Sequence, residues 1–489
     1  MGTISSAFSL ISGALNADQS ALNIIAGNVA NANTPGYTRE APTWQENTPV
    51  TINGIPSGTG VTETGATSMR DRVLLERLDQ QQQLASASSA RLDSLNNVQA
   101  LFTPASGSTS SAAGNIGSDI TSFFSSFSSL EANPTDNALR QQVLSTGATL
   151  SADISGTAAA LRQQQAAVDQ ESVGVVSQVN ALANSIAQLN RQIQSASLGA
   201  DAGTLEDKRQ QDLSQLSQLI GINQITTENN GLTITTTAGQ TLISEGVSTA
   251  LTTGAVGGVT HFFVGATDTT AQLAVGGGQL GGYITARDQD IPGVLGSLDQ
   301  LAFGITTEVN AQSKAGVDLN GNPGTALFSQ SAQVAGSAAT MRMIVTNPVM
   351  VAAAAAGQGS GDNTNAAALA ALGSASAPPI LNGLILPGGA VLAPGQTLLN
   401  SQTPSNYYSG LITTLGSTVA QVQTENAAQN ASVTQLQTQN NAISSVNLND
   451  EASALTTLER SYQAASQVFA IINTLMASAL NLGNQSTVA

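Results

Sequence analysis

The two ends of the chain carry heptad patterns that constrain the fold more than any other feature. Near the start, apolar side chains recur at alternating steps of four and three, and Asp18 occupies the one position that breaks the series. That series is Ile4, Phe8, Ile11, Leu15, Leu22, Ile25 and Val29. Near the end, the same spacing runs through Leu455, Leu458, Tyr462, Ala465, Phe469, Ile472, Met476 and Ala479. Because a heptad stripe is buried against another helix, we expect the two ends to pair as a coiled coil.

One pair of helices buries too little apolar surface to offset the conformational entropy lost when both segments become ordered. We therefore expect neighbouring subunits to complete the burial, and both termini to be disordered in a free subunit and helical in a polymer. Asp18 would be costly inside a buried stripe. We expect its carboxylate to face a solvated channel.

Composition and charge exclude several classes of function. The formal net charge is −17, Lys208 and Lys314 are the only lysines, and no basic patch is present that could bind nucleic acid. The chain has no cysteine, which excludes thiol catalysis, disulfides and cysteine-bound metal. The sequence contains no run of eighteen apolar residues without polar interruption, so we expect no membrane-spanning helix. Residues 1–30 lack the basic start and unbroken apolar run of a signal peptide, so we expect any export to use another route.

The middle of the chain alternates between helical and strand patterns. A turn at Asn31 to Gly36 ends the first helix, and residues 40–69 indicate a short β excursion. Helical periodicity predicts helices from about Met69, over 116–127, from the Pro134 region through 157–198, over 205–220, over 291–309 and from Tyr408 to Ile443. Between 222 and 275 the period becomes two, which predicts antiparallel strands that include Leu273 and Val275. We interpret Glu206-Asp207-Lys208-Arg209 as a solvated helix face.

These patterns predict an α+β protein of several domains, with a long helical coiled-coil trunk formed by the N- and C-terminal regions and β-rich inserted domains in the middle. Residues 1–36 and 446–489 would form the terminal coiled coil. The helical trunk domain would comprise 37–221, 276–330 and 405–445. A β-rich domain would be inserted at 222–275, and 331–404 would be an irregular or β-containing insertion whose fold the pattern leaves open.

Three motifs suggest bound ligands, and each has a simpler structural interpretation. Gly276, Gly278 and Gly281 fit a dinucleotide-binding spacing with Asp299 downstream, but antiparallel strands precede them instead of a βαβ unit. A loop beginning at Asp318, with Asn320 and Asn322, resembles the start of an EF-hand but lacks its glycine and its final glutamate. His261 is the only histidine and is expected to be a packed or surface residue. The sequence therefore predicts no catalytic residue, no cofactor and no metal site.

Several longer segments resemble one bacterial family. The segment from Gln19 to Arg39 resembles the N-terminal signature of the flagellar axial proteins, which rod, hook and hook-associated proteins share, although Asp18 stands where a small residue is usual. Three further segments resemble the hook-associated protein 1 family itself. They are Pro134, Ala138, Arg140, Val143 and Leu144; the string from Gln279 to Asp288 with its continuation to Gly321; and Ser445 to Ala464, with Asn449 where an acidic residue is usual.

The resemblance implies a structural protein that forms a ring at the junction between hook and filament and polymerises through its terminal helices. It implies hook protein, a second junction protein and a cytosolic export chaperone at the C-terminal helix as partners. It further implies an extracellular location in the flagellum, reached by type III export without a cleaved signal peptide. A hook or rod protein of the same superfamily is the first alternative. A dinucleotide-binding enzyme and a monomeric binding module are remoter ones.

Overall fold

The computed structural model describes residues 2–52, 55–102, 116–196, 202–227, 230–374, 384–386, 391, 398–400 and 402–485, with the backbone alone at 2–5, 52, 55–57 and 479–485. Long helices occupy both termini and strands cluster in two regions between them. The prediction of an α+β chain with helical termini and a β-rich middle is confirmed.

Twelve α-helices follow one another in the described chain, and five residues of π-helix (Ala286–Asp290) join the seventh to the eighth. The helices are α1 (Gly2–Asn31), α2 (Arg72–Ala100), α3 (Ile116–Ala132), α4 (Asn137–Ala196), α5 (Thr204–Leu219), α6 (Thr270–Gly276), α7 (Gly278–Thr285), α8 (Ile291–Ala315), α9 (Ser337–Thr340), α10 (Thr364–Ala371), α11 (Pro404–Ser444) and α12 (Leu448–Gln485).

All strand pairs of the described chain are antiparallel. The strands are β1 (Glu40–Glu46), β2 (Val50–Ile52), β3 (Ile55–Ser57), β4 (Val61–Ser68), β5 (Ile222–Thr226), β6 (Leu232–Thr236), β7 (Thr241–Ser244), β8 (Val247–Ser248), β9 (Leu251–Val256), β10 (Val259–Val264), β11 (Thr267–Asp268), β12 (Gly316–Val317) and β13 (Ala354–Ala355). They form the pairs β1–β4, β2–β3 and β12–β13, a three-stranded sheet β11-β10-β9 and a four-stranded sheet β5-β6-β7-β8.

The chain forms two compact units, each built from several segments. Unit 1 comprises Met1–Ser86, Val175–Gly278 and Ala428–Ala489, and unit 2 comprises Ala87–Gly174 and Gln279–Ala427. The boundaries between the units fall inside α2, α4 and α11 and at the first residue of α7. The domain boundaries given above stay predictions.

Unit 2 has an aromatic core. The Phe123 ring lies 5.2 to 5.3 Å from the rings of Phe124, Phe127 and Phe328, in edge-to-face geometry. Arg140 is fully buried in this unit, and its Nε donates a 2.8 Å hydrogen bond to the carbonyl of Pro134. The guanidinium is tolerated because its N–H groups are satisfied by backbone carbonyls, so this arginine holds the turn before α4 in place.

In unit 1, α1 packs against α12 and against the paired strands β1 and β4, while β6 and β7 contribute buried leucine and isoleucine side chains. The burial of β6 alternates along the strand, as its period-two pattern predicts. Residues 270–276 differ from the prediction. Leu273 and Val275 lie in α6 instead of a strand, with Leu273 buried and Val275 exposed.

Residues 270–276 were predicted as a strand because their apolar residues alternate over a short stretch, but a helix start signal precedes them. The Asp268 carboxylate accepts hydrogen bonds from the Thr270 backbone N–H (3.0 Å) and hydroxyl (2.7 Å). An acidic side chain that accepts from the first turn is a typical N-terminal signal. Helical and strand periods are hard to separate over so few residues.

The interpretation of residues 206–209 as a solvated face is wrong. Glu206 and Arg209 are buried, and Lys208 alone extends into solvent. Arg209 donates to the side-chain oxygen of Asn190 (2.9 Å) and to the carbonyl of Asn230 (2.6 Å). Burial lowers the pKa of Arg209 to about 10. The partners of these charges lie far away in sequence, so a local charge pattern could not identify them.

The three candidate ligand motifs have structural roles. Gly276 ends α6 and Gly278 begins α7, and the sheets before them are antiparallel. The Asp299 carboxylate accepts from the backbone N–H groups of Gly336 (2.8 Å) and Ala338 (2.9 Å), at the start of α9. The Asp318 carboxylate accepts from the backbone N–H groups at 320 (2.9 Å) and 322 (2.8 Å) and closes its own turn.

His261 has a partner that the sequence pattern did not suggest. Its Nδ1 lies 2.6 Å from a carboxylate oxygen of Asp268, on the neighbouring strand β11. Both side chains lie at the surface of a β-hairpin, as expected for His261. Antiparallel pairing of β10 with β11 brings them together across a tight turn.

Candidate assembly interface

The terminal heptad stripes meet along α1 and α12. The rings of Phe8 and Phe469 lie 4.9 Å apart and mark the contact. Ile25 is buried, whereas Val29 and Tyr462 remain exposed. The other predicted side chains that the structure describes are half-buried; they are Phe8, Ile11, Leu15, Leu22, Leu455, Leu458, Ala465, Phe469, Ile472 and Met476. The side chains of Ile4 and Ala479 lie outside the described residues.

The most deeply buried positions of α1 include small residues that the heptad analysis missed. Ala17 and Ala21 are both buried, one position before Asp18 and Leu22 of the predicted stripe. Small side chains let a neighbouring backbone approach closely, so they can define a helix contact as well as large apolar ones do. Two alanines four residues apart, next to the interrupted heptad position, are the signal that could have identified this face.

Asp18 contacts the partner helix. It is half-buried, and its Oδ2 accepts a 2.9 Å hydrogen bond from the hydroxyl of Ser461 on α12. A polar contact across the two helices reduces the cost of a carboxylate in the stripe. Its orientation toward a solvated channel stays a prediction.

A second apolar stripe on α12 is left open. The side chains of Val468, Ile471 and Leu475 are between 41% and 59% exposed. The helix α1 covers only the neighbouring side of α12. Three branched side chains on one exposed face, in a segment with no charged residue after Arg460, are typical of an interaction surface.

The base of the helix pair is held by a buried polar cluster that links the two ends of the chain. Glu451, at the start of α12, is buried and accepts hydrogen bonds from Arg39 Nε (2.7 Å) and Asn28 Nδ2 (3.1 Å). Asn28 is also buried, and its side-chain oxygen accepts from the hydroxyl of Tyr37 (2.9 Å) and the backbone N–H of Glu40 (3.0 Å). The end of α1, strand β1 and the start of α12 are therefore joined at one point.

The next residues of the same loop bind α5. Asp207 accepts from the backbone N–H (2.9 Å) and hydroxyl (2.6 Å) of Thr38, and it forms an ion pair with Arg70. Glu206 pairs with Arg70 and Arg72. Burial, followed by the carboxylates of Glu40, Asp207 and Glu451, raises the pKa of Tyr37 to about 12, so its hydroxyl stays a donor over the physiological range.

These polar roles explain the Tyr37-Thr38-Arg39 sequence in physical terms. Each of the three residues supplies one contact that fixes the strand leaving α1, and each contact goes to a different element. Glu451 lies in the first turn of α12, where a carboxylate complements the positive end of the helix, and its carboxylate is also bound by Asn28 and Arg39. Asn447 does cap the helix, since its side-chain oxygen accepts from the backbone N–H of Asn449 (3.0 Å).

The described residues of this interface provide contacts between helices. Among the residues that the structure describes, no group of three or more His, Asp or Glu side chains is placed to hold a metal ion. Within the same residues, no helix is long and apolar enough to span a membrane.

Comparison with known proteins identifies the family. Residues 105–328 match the model of the helical domain of flagellar hook-associated protein FlgK, and residues 11–38 match that of the flagella basal body rod protein. Flagellar hook-associated protein 1 of Escherichia coli is 26% identical over 96% of this chain and 98% of its own length. The Bacillus subtilis protein of that name is 24% identical over 96% of both chains.

A shorter and closer match exists to flagellar hook-associated protein 1 of Salmonella typhimurium, which is 30% identical over 64% of this chain and 58% of its own length. The fold is similar to that of the flagellar hook junction protein FlgK from Burkholderia pseudomallei, with a TM-score of 0.64 over 74% of this chain and 99% of that chain, at 17% identity. The family model, the full-length relatives and the fold agree, and this chain belongs to the flagellar hook-associated protein 1 family.

Proposed function

We propose that this protein forms the junction between the hook and the filament of the bacterial flagellum and polymerises there through α1 and α12. Its structural role in the flagellum follows from its family. The observation that carries the finer proposal is the α1–α12 pair, in which the predicted stripes are only half-buried within one chain and a second apolar stripe is open. Residues 1–17 and 461–489 contain no charged side chain, so subunits can approach there despite the net charge of −17.

The proposed partners are those that the family resemblance implies. Hook protein would lie on one side of the ring and a second junction protein on the other. A cytosolic export chaperone would cover α12 before assembly, because a helix with an open apolar stripe exposes a surface prone to aggregation. We further propose export to the cell exterior without a cleaved signal peptide, and a purely structural role without catalysis.

A hook or rod protein of the same superfamily is the alternative. The match of residues 105–328 to the hook-associated helical domain argues against it. That region includes the buried Arg140 and the turn at Pro134, which resemble hook-associated protein 1 rather than hook or rod proteins.

The test is a pair of charge insertions in α12. We expect Leu458→Asp with Ile472→Asp to leave unit 2 folded and to abolish junction formation, because two carboxylates would replace half-buried apolar contacts with α1. Cells carrying this variant should make hooks without filaments and secrete filament protein into the medium, as seen by negative-stain microscopy and immunoblotting.

The matched control adds the same charges at two exposed polar positions of the helix. Gln467→Asp with Asn473→Asp keeps the apolar stripes, and these cells should carry filaments. Normal filaments on cells with the Leu458→Asp and Ile472→Asp variant would overturn the proposed function.

A further inference from the structure

A cavity of about 270 Å³ lies in unit 1, beside the base of the α1–α12 pair. Its apolar wall comes from three elements: Ile25 of α1, Pro42 and Trp44 of β1, and Ala454 and Leu458 of α12. The Arg39–Glu451 ion pair lines it as well. Residues separated by more than 400 positions therefore form one recess, and it exists only when the two ends of the chain are paired.

Trp44 gives this recess its character. It is the only tryptophan in the chain, and 48% of its surface is exposed. The β1–β4 register shifts between Thr43 and Trp44, and such a bulge re-aims the side chain that follows it. A large aromatic side chain that remains half open beside an apolar recess is typical of a site that receives a partner's apolar residues.

The open stripe of α12 lies on the same helix face as the recess. Val468 and Ile471 lie two heptads after Ala454 and Thr457, which line the recess, so the rotation between the two positions is only about 40°. The same spacing separates them by about 21 Å along the helix. The stripe and one wall of the recess belong to the same rigid helix, α12. The stripe therefore cannot fold back into the recess of its own chain.

We propose that the Trp44 recess receives the Val468, Ile471 and Leu475 stripe of a second copy of this chain, displaced by about two heptads along the helix axis. The recess and the stripe are different surfaces, so the contact is heterologous and continues from copy to copy instead of closing a two-fold dimer. The charge distribution permits a second copy as the occupant, because Arg39 and Glu451 of the recess are paired with each other. The stripe lies in an uncharged segment, and that segment can approach an identical chain with little repulsion.

This inference rests on the proposed polymerisation and assigns its contact. The absence of cysteine makes a direct test possible, because two introduced thiols would be the only ones in the chain. Ala41→Cys places a thiol at the recess and Val468→Cys places one on the stripe. Hook–filament structures isolated from cells that carry the double variant are treated with a short bis-maleimide, and the products are separated by denaturing electrophoresis.

We expect a ladder of dimers, trimers and higher products. Each copy would be cross-linked to one neighbour through the thiol at its recess and to another neighbour through the thiol on its stripe. The matched control replaces Val468→Cys by Gln467→Cys, which is exposed on the adjacent position of the same helix and should stay monomeric. Each single-cysteine variant should also stay monomeric. A cross-linked dimer alone, or equal cross-linking of the control, would overturn the heterologous contact.

The unmodified chain provides a second measurement that does not depend on the variants folding. Trp44 fluorescence should move to shorter wavelength when purified subunits assemble, because the partner stripe removes water from the indole. Assembly, seen by light scattering, without a change in emission would reject the recess and leave the proposed function standing. Junctions that contain no copies of this chain would instead reject the proposed function itself.

Discussion

At the scale of single residues, Glu451 connects the two ends of the chain. Its carboxylate is buried and bound by Arg39 and Asn28, and the same asparagine fixes Tyr37 and strand β1. A buried carboxylate with charged and amide donors is costly to disrupt, because its removal leaves the donors without an acceptor. The residue therefore couples the docking of α12 to the position of the loop after α1.

We expect Glu451→Ala to destabilise the paired termini by about 2 kcal/mol, since one N–H of the buried Asn28 amide would lose its acceptor while the other still donates to the Glu40 carbonyl (2.8 Å), and the half-exposed Arg39 would be rehydrated. Glu451→Gln keeps an acceptor for Asn28 and should cost less. Urea denaturation of the assembled protein followed by circular dichroism, with hydrogen exchange of α1 in the assembly as the local readout, measures both. Glu459→Ala, exposed on the same helix, is the control, and an equal effect there would contradict the coupling.

Buried acidic groups in unit 2 predict a dependence of stability on pH. Burial raises the pKa of Glu308 from 4.5 to about 7. Because the folded pKa lies above the unfolded one, the folded chain holds this proton more tightly, and its contribution to stability is full below about pH 4.5 and is lost as the pH rises through about 7.

We therefore expect Glu308→Gln to raise the free energy of unfolding by about 3 kcal/mol at pH 8 and to change it little at pH 4. The pKa of Asp119 is also raised, to about 7, by burial and by Asp153. Because Asp119 is present in both the variant and the parent, its effect on stability cancels in the difference between them. Denaturation midpoints at several pH values test the sign. A variant that is less stable than the parent at pH 8 would contradict it.

At the scale of elements, close helix packing depends on glycine at one position of α4. A Cβ at Gly147 would meet the Phe123 ring at 2.9 Å and would also collide with the side chain of Met343. Gly156, in the same helix, has open space around it. The two glycines share a helical environment and differ in the space beside them.

Gly147→Ala should lower the stability of unit 2 by about 1 to 3 kcal/mol, because the core around Phe123 must shift to admit the methyl group. Gly156→Ala should raise it by about 1 kcal/mol, since alanine is the better helix former. Thermal denaturation of the two variants gives the comparison. Similar effects at both positions would show that packing against α3 does not set the requirement.

At the scale of the whole molecule, the terminal pair is the element most dependent on other subunits. Much of its apolar surface is only half-buried, whereas unit 2 has a continuous apolar core with many fully buried side chains. The free energy of local opening follows such differences in burial.

We expect amide protons of residues 4–29 and 455–480 in a dilute monomer to exchange far faster than those of α3, and to become protected on assembly. Hydrogen exchange measured by mass spectrometry at low and high subunit concentration would show this. Strong protection of both termini at low concentration would contradict the expectation that assembly orders them.

The sequence alone determined the existence of the terminal helices, the β-rich region and the family, because heptad spacing, the change of period and the long signature segments are local properties. The end of the first helix followed from the turn at Asn31 to Gly36, whereas α3 and α8 continue to Ala132 and Ala315, beyond the predicted 127 and 309. Only the tertiary structure decided which charges are buried. The partners of Glu451, Glu206 and Arg209 lie at remote positions, and a charge pattern read locally cannot distinguish a solvated face from a paired one. The tertiary structure also decided which apolar residues of α12 stay exposed to solvent. The apolar surface of α12 is wider than the area that α1 covers, and the sequence does not say which part of it α1 covers.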